Sequence, residues 1–172
     1  MTTTQPTTIS GERTDLLEML AKHRYLLRHT VQGLTDEQAA QTPTASELCL
    51  GGLIKHVAAV EQQWAEFILT GAHATGDETD YAEYANGFRM LPGETLAGLL
   101  ESYEQVAKRT DELVASLPDL NTSQPLPPAP WFEPGARWSA RRVLMHIIAE
   151  TAQHAGHADI IRESLDGAKS MG

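Results

Sequence analysis

Three polar residues, His56, Glu150 and His154, stand at positions where two amphipathic segments call for apolar side chains. His56 lies next to Val57 on the apolar stripe of its segment. Glu150 and His154 are four residues apart, so on a helix their side chains lie on one face about one turn from each other. A buried carboxylate without a partner is costly, and it normally loses its charge or binds a cation. A divalent metal ion held by all three side chains would account for all three positions.

The chemistry of this ligand set favours zinc. Imidazole nitrogen and carboxylate oxygen suit Zn2+, and three protein ligands leave a position open for water or a substrate. The same ligands accept Ni2+, Fe2+ or Mn2+, so the identity of the metal stays open. Each residue also has an ordinary structural interpretation, as a core histidine or as a hydrogen-bonded Glu–His pair. Their coincidence on inward faces is what favours the metal site.

Two further histidines flank the pair on the same segment. His146 is four residues before Glu150, and His157 is three residues after His154. His146 and His154 would be about 12 Å apart along a helix, too far for one ion to bind both comfortably. His146 and His157 could support the ligands, contact a substrate or act as a base, and a solvated or purely structural role is an equal alternative for each.

Four long segments have helical periodicity, and no segment of comparable length alternates like a strand. The predicted helices run from about Gly11 to Leu34, from about Ser46 to Gly71, from about Glu94 to Leu117, and from Ser139 to about Leu165. Thr35 and Gln38 have the spacing of a capping box, which predicts a short helical turn. The pattern predicts an all-α four-helix bundle with His56 on the second long helix and the other two ligands on the fourth.

The remaining segments are predicted to be loops and a tail. Residues 72–91 and 118–138 both contain aromatic side chains, so we expect two long ordered loops, a kind that is often functional. The polar residues 1–10 are predicted to be a flexible tail, and 11–168 to form a single domain. The first ten residues have neither the basic nor the apolar region of a secretory signal.

The composition of the chain indicates which classes of partner are unfavourable and in which cellular compartment the protein is expected. A net charge of −10 argues against nucleic acid as a partner, and the longest apolar runs are far short of the roughly 18–20 residues that cross a bilayer. Cys49 is the only cysteine, so no intramolecular disulfide can form, and we expect a cytoplasmic protein. Cys49 lies two helical turns before His56. A small buried packing residue is its favoured interpretation.

Two stretches resemble a known superfamily. GGLIKHVAAVEQQW, which contains His56, and MHIIAETAQHAGHADIIRESLDG, which contains the other two ligands, resemble the DinB/YfiT-like metal-binding four-helix bundles. They look most like the actinobacterial branch that includes the mycothiol-dependent maleylpyruvate isomerase and the mycothiol S-transferases. The resemblance covers nearly the whole chain. It implies an up-down-down-up bundle with a divalent metal on His56, Glu150 and His154, although many relatives have histidine where this chain has Glu150.

The resemblance also implies a reaction. We expect a metal-dependent thiol S-transferase that uses a low-molecular-weight thiol, mycothiol, against an electrophile. The isomerase reaction is not expected, because the isomerase has an additional C-terminal domain for which this chain has no room. The alternatives are a metal-dependent hydrolase with His157 or His146 as the base, and a non-catalytic metal-binding or stress-related module. A homodimer stays open.

Aromatic residues and arginines near the predicted site are candidates for a substrate pocket. The candidates are Trp64, Trp131, Trp138 and Arg142, with Tyr81, Tyr84, Phe88 and Arg141 as further possibilities. Aromatic residues dominate buried surface in general, so most of these would serve equally well as core or loop anchors. Surface solvation is the ordinary role of the two arginines.

Overall fold

The chain is mostly helical, which confirms the predicted all-α class at that level. The computed structural model describes residues 11–71 and 81–170, with the side chains of 81–83 outside the description. The helices are α1 (Gly11–His29), α2 (Asp36–Ala39), α3 (Leu50–Thr70), α4 (Tyr81–Asn86), α5 (Leu96–Ser116) and α6 (Ala140–Asp166). Two short strands, β1 (Ser123–Pro125) and β2 (Arg137–Ser139), precede α6. The up-down-down-up topology and the single domain stay predictions.

Side-chain caps account for several helix ends. Ser139 caps α6 by accepting a 3.2 Å hydrogen bond from the Arg142 amide, and Gly167 ends that helix in the left-handed conformation. The capping box of Thr35 and Gln38 is also present and starts α2. The predicted start of α3 near Ser46 is wrong, because the cap is Cys49.

The thiol of Cys49 is a structural cap. Its Sγ accepts a hydrogen bond of 3.3 Å from the amide of Gly52, and the side chain is buried. The same Sγ lies 3.7 Å from the carbonyl oxygen of Phe88. These contacts agree with the packing interpretation of Cys49.

The packing of α6 and α3 positions the candidate ligands. Helix α6 packs against α1 and α3, and α3 packs against α5. Buried apolar side chains from these helices form two clusters, one around Leu53 and Tyr103 and the other around Phe67 and Leu144. Burying each aliphatic or aromatic side chain contributes about 1.5–3 kcal/mol. The apolar stripes therefore hold α3 and α6 face to face along the length that carries the candidate ligands.

A buried ion network ties together α1, α3 and α5. The guanidinium of Arg24 donates to both carboxylate oxygens of Glu61, with distances of 2.5 Å and 3.1 Å, and to Asp111 at 2.8 Å. Glu61 is fully buried and Arg24 is 5% exposed. A bidentate pair of this kind satisfies both charges inside the core. This network was not predicted from the sequence.

The proline-rich connection before α6 contains a short hairpin. Strand β1 pairs with β2 in antiparallel register, with Ser123 opposite Ser139 and Pro125 opposite Arg137. This pairing was not predicted. Of the other predicted loop, residues 72–80 lie outside the described residues, and α4 occupies 81–86. In the part of the chain that the structure describes, no helix is both long enough and apolar enough to span a membrane.

Candidate metal centre

The structure brings the three predicted ligands together. His56 extends from α3, and Glu150 and His154 extend from the facing side of α6. One ligand atom from each lies within 4.8 Å of the other two. Among residues 11–71 and 81–170, no other group of three His, Cys, Asp or Glu side chains meets this condition. Metal binding by the three residues stays a prediction.

The donor set fits a small divalent cation. Nε2 of His154 lies 3.6 Å from Oε2 of Glu150, close to the separation of about 3.4 Å between two ligands in a tetrahedral zinc site. The rings of His56 and His154 meet edge to face, with 4.8 Å between their centroids. His154 is buried, whereas His56 and Glu150 are half-buried. The cluster therefore has one side in the core and one side toward solvent.

The local electrostatics favour the protonation states that bind metal. The pKa of His56 is lowered to about 4, mainly by burial and also by the neighbouring His154, while Glu150 acts in the opposite direction. The interaction with His154 lowers the pKa of Glu150, against the effect of burial. At neutral pH the site therefore offers a neutral imidazole at His56 and a carboxylate at Glu150. These are the forms in which the two side chains coordinate a cation.

The two flanking histidines lie beside the cluster on opposite sides. Nδ1 of His157 is 3.3 Å from Nδ1 of His154. Nε2 of His146 is 4.0 Å from Oε1 of Glu150, and burial lowers the pKa of His146. Both residues thus contact a candidate ligand. This position is compatible with the supporting role expected of them.

A comparison with models of known protein families assigns the chain to one of them. A model of the mycothiol S-transferase family matches residues 15–167. The chain belongs to the mycothiol S-transferase family. This confirms the resemblance found in the sequence. A search of curated proteins found no match. The matched range includes all three candidate ligands and both flanking histidines of this family member.

Two of the predicted pocket residues, Trp64 and Trp138, form an aromatic group with His146 beside the candidate ligands. The rings of Trp64 and Trp138 are stacked with 4.8 Å between centroids. The His146 ring packs edge-to-face with both rings, with centroid distances of 4.9 Å and 5.2 Å. Arg142 lies over the Trp138 ring at 4.7 Å. Because His146 also lies near Glu150, this aromatic group is continuous with the candidate site.

Three of the other pocket candidates lie elsewhere or lack a described side chain. Trp131 is 62% exposed, and its ring contact is with Phe132. Arg141 forms an ion pair with Glu12. The side chain of Tyr81 lies outside the described residues. A substrate pocket that includes Trp131 stays a prediction.

One contact of the candidate ligands was not predicted from the sequence. The Phe88 ring stacks on the His56 ring with 3.9 Å between centroids and 23° between planes. Phe88 is a pocket candidate in the sequence, but no pattern there marks it as a partner of His56. The signal that could have found it is the pair Gly51–Gly52 just before His56, since adjacent glycines often mark close approach of another backbone segment.

Proposed function

We propose that this chain is a divalent-metal-dependent thiol S-transferase that joins a low-molecular-weight thiol, mycothiol, to an electrophile. His56, Glu150 and His154 hold the metal, with Zn2+ as the expected ion. The proposal includes the DinB-like up-down-down-up arrangement of the four long helices. The carrying observation is the convergence of three ligand atoms from α3 and α6 within 4.8 Å in a member of the mycothiol S-transferase family.

Each residue of the proposed site has a definite task. His56 and His154 offer ring nitrogens, and Glu150 offers a carboxylate oxygen whose negative charge partly balances a dication. A divalent ion bound there would supply Lewis acidity that favours the thiolate form of a thiol at neutral pH. The half-buried positions of His56 and Glu150 leave one side of the cluster accessible to small molecules.

The proposed reaction needs no nucleophile from the protein. The sulfur of the thiol forms a bond to an electrophilic carbon, the leaving group departs with the electron pair of the broken bond, and the thiol proton passes to solvent. Cys49 is unsuited to the role of nucleophile, because its buried Sγ caps α3. The aromatic group of Trp64, Trp138 and His146 lies on the Glu150 side, where an apolar electrophile could be held.

The first test is the metal content of the purified untagged protein. Elemental mass spectrometry is expected to find near-stoichiometric zinc or nickel in the parent. The metal should be lost in His56→Ala and in His154→Ala, because each removes one of three ligands. His23→Ala, on α1 and outside the cluster, is the matched control and should retain the metal. Absence of metal from the parent after reconstitution with zinc would contradict the proposal.

The second test separates thiol transfer from its alternatives. The metal-loaded protein is incubated with monochlorobimane in the presence and absence of mycothiol, and the conjugate is quantified. Conjugation that requires both mycothiol and the intact site supports the transferase. Consumption of an ester or amide substrate without thiol would indicate the hydrolase instead. Bound metal with neither activity would favour the non-catalytic module.

A further inference from the structure

A short crossing segment after α4, residues 88–90, passes over the first turn of α3 at very close range. A methyl group in place of the Gly52 α-hydrogen would overlap the carbonyl group of Phe88 and lie 2.8 Å from the amide nitrogen of Arg89. A methyl group on Gly51 would overlap the thioether of Met90. Backbone cannot move aside as a flexible side chain can. Glycine at position 52 is therefore a requirement of this crossing.

Polar contacts hold the crossing segment against α3 on both sides of Gly51 and Gly52. The Sγ of Cys49 lies 3.7 Å from the Phe88 carbonyl oxygen. The ammonium group of Lys55 lies 3.5 Å from the Arg89 carbonyl oxygen and forms a 2.7 Å ion pair with Glu94. The segment is thus held from the N-cap of α3 to its second turn.

The fixed backbone sets the position of the Phe88 ring. That ring lies flat on His56, with 3.9 Å between centroids, while the His154 ring is nearly perpendicular to the His56 ring, at 78°. The rotation of the His56 ring is thereby limited from two directions. Phe88 itself lies 6.2 Å from the His154 ring, so it contacts the candidate site on the His56 side.

We propose that Phe88 is a positioning residue for the metal ligand His56. The crossing segment packs on Gly51–Gly52 and keeps the phenyl ring in contact with the imidazole. The stacked phenyl ring holds the imidazole in the orientation that faces Glu150 and His154. This inference rests on the proposed metal site and adds to it the element that pre-orders its α3 ligand.

The physical effect is a lower cost of ordering the ligand. An imidazole free to rotate loses rotamer freedom when it coordinates a cation, whereas a stacked ring has already lost that freedom during folding. The phenyl ring also shields one face of the imidazole from water. Loss of an outer partner that hydrogen-bonds to a ligand typically lowers metal affinity about 10- to 100-fold, and for this stacking partner we expect an effect at the low end of that range.

The experiment compares variants that differ in one property at a time. Phe88→Leu removes the aromatic face, and Phe88→Tyr keeps it. Gly52→Ala keeps phenylalanine at position 88 but forces the backbone of that residue away from α3. The matched control is Gly156→Ala on α6, where a methyl group would meet nothing within 4 Å. Circular dichroism and thermal unfolding establish that each variant folds, and if Gly52→Ala does not fold, the two Phe88 variants decide.

Zn2+ affinity is measured by competition with a chromophoric chelator. We expect Phe88→Leu and Gly52→Ala to bind Zn2+ about tenfold more weakly than the parent, and Phe88→Tyr and Gly156→Ala to stay within about twofold of it. The same affinity for Phe88→Leu, Phe88→Tyr and the parent would overturn the proposal.

A metal-free measurement keeps this proposal distinct from the metal site itself. In the apoprotein, nuclear Overhauser contacts between the Phe88 and His56 rings are expected in the parent and absent in Gly52→Ala. If the parent takes up no zinc, the proposed function fails, but these contacts would still support the positioning of His56. Their absence from the parent would overturn the positioning whatever the metal result.

Discussion

Nδ1 of His154 lies 3.3 Å from Nδ1 of His157, and Nε2 of the same His154 ring lies 3.6 Å from Glu150. Two ring nitrogens at hydrogen-bond distance need one proton between them, donated by one ring and accepted by the other. A metal ligand presents an unprotonated nitrogen. With Nε2 as the ligand atom, the His154 proton lies on Nδ1 and is accepted by His157. His157 would then fix both the tautomer and the rotation of His154.

The contact predicts an effect of His157 on metal affinity. His157→Leu removes the acceptor and is expected to weaken Zn2+ binding about tenfold. His157→Gln keeps an oxygen acceptor in reach and should retain most of the affinity. Chelator competition at neutral pH measures both. Equal affinities of the parent and both variants would show that His157 only packs against the site.

The buried pair of Arg24 and Glu61 predicts a large loss of stability. Glu61→Gln leaves the Arg24 charge without its bidentate partner inside the core, and removal of one member of a buried pair typically costs about 3–5 kcal/mol. We expect a decrease of about 3 kcal/mol in the free energy of unfolding, measured by urea titration. Asp111, which also accepts from Arg24, reduces the loss.

An exposed pair of the same kind provides the control. Lys108 and Glu112 lie four residues apart on α5 with 3.9 Å between their charged atoms, and both are well exposed. Glu112→Gln should change the free energy of unfolding by no more than about 0.5 kcal/mol. A loss in Glu61→Gln as small as in this control would mean that water reaches the Arg24 side chain.

Added zinc is expected to raise the melting temperature of the apoprotein. A ligand that binds only the folded state stabilises it by about 2.7 kcal/mol at a free concentration one hundred times its Kd. The increase should disappear in His154→Ala and persist in His23→Ala. Scanning calorimetry with zinc and with chelator measures it. A similar increase in His154→Ala would place the bound zinc elsewhere on the chain.

The helices and the candidate ligands were predictable because both depend on periodicity within one segment. Apolar spacing of three and four residues identified α3 and α6, and the same spacing made His56 and Glu150 stand out. Arg24 and Glu61 gave the same signal, because Arg24 follows Leu20 by four residues and Glu61 precedes Trp64 by three. The pair was nevertheless missed, since periodicity shows that a charge is buried but not which charge it meets.

The contact of Phe88 with His56 was beyond such reasoning for a different reason. It joins residues that are far apart in sequence, and its register is set by backbone overlap at Gly52 rather than by an apolar pattern. The hairpin of β1 and β2 was likewise hidden, because three-residue strands at the ends of a proline-rich loop are too short to show alternation. In both cases tertiary contacts define the structure.

Replacement of Glu150 tests whether the site needs a carboxylate or only a ligand at that position. Glu150→His offers a ring nitrogen from the same turn of α6, and we expect it to bind near-stoichiometric metal with a changed preference between Zn2+ and Ni2+, since imidazole and carboxylate rank these ions differently. Glu150→Ala removes the ligand and should bind Zn2+ at least tenfold more weakly. Elemental analysis and chelator competition compare the two variants with the parent. If Glu150→His loses metal as fully as Glu150→Ala, the negative charge beside His146 and His154 is itself required, and coordination by any third donor is not enough.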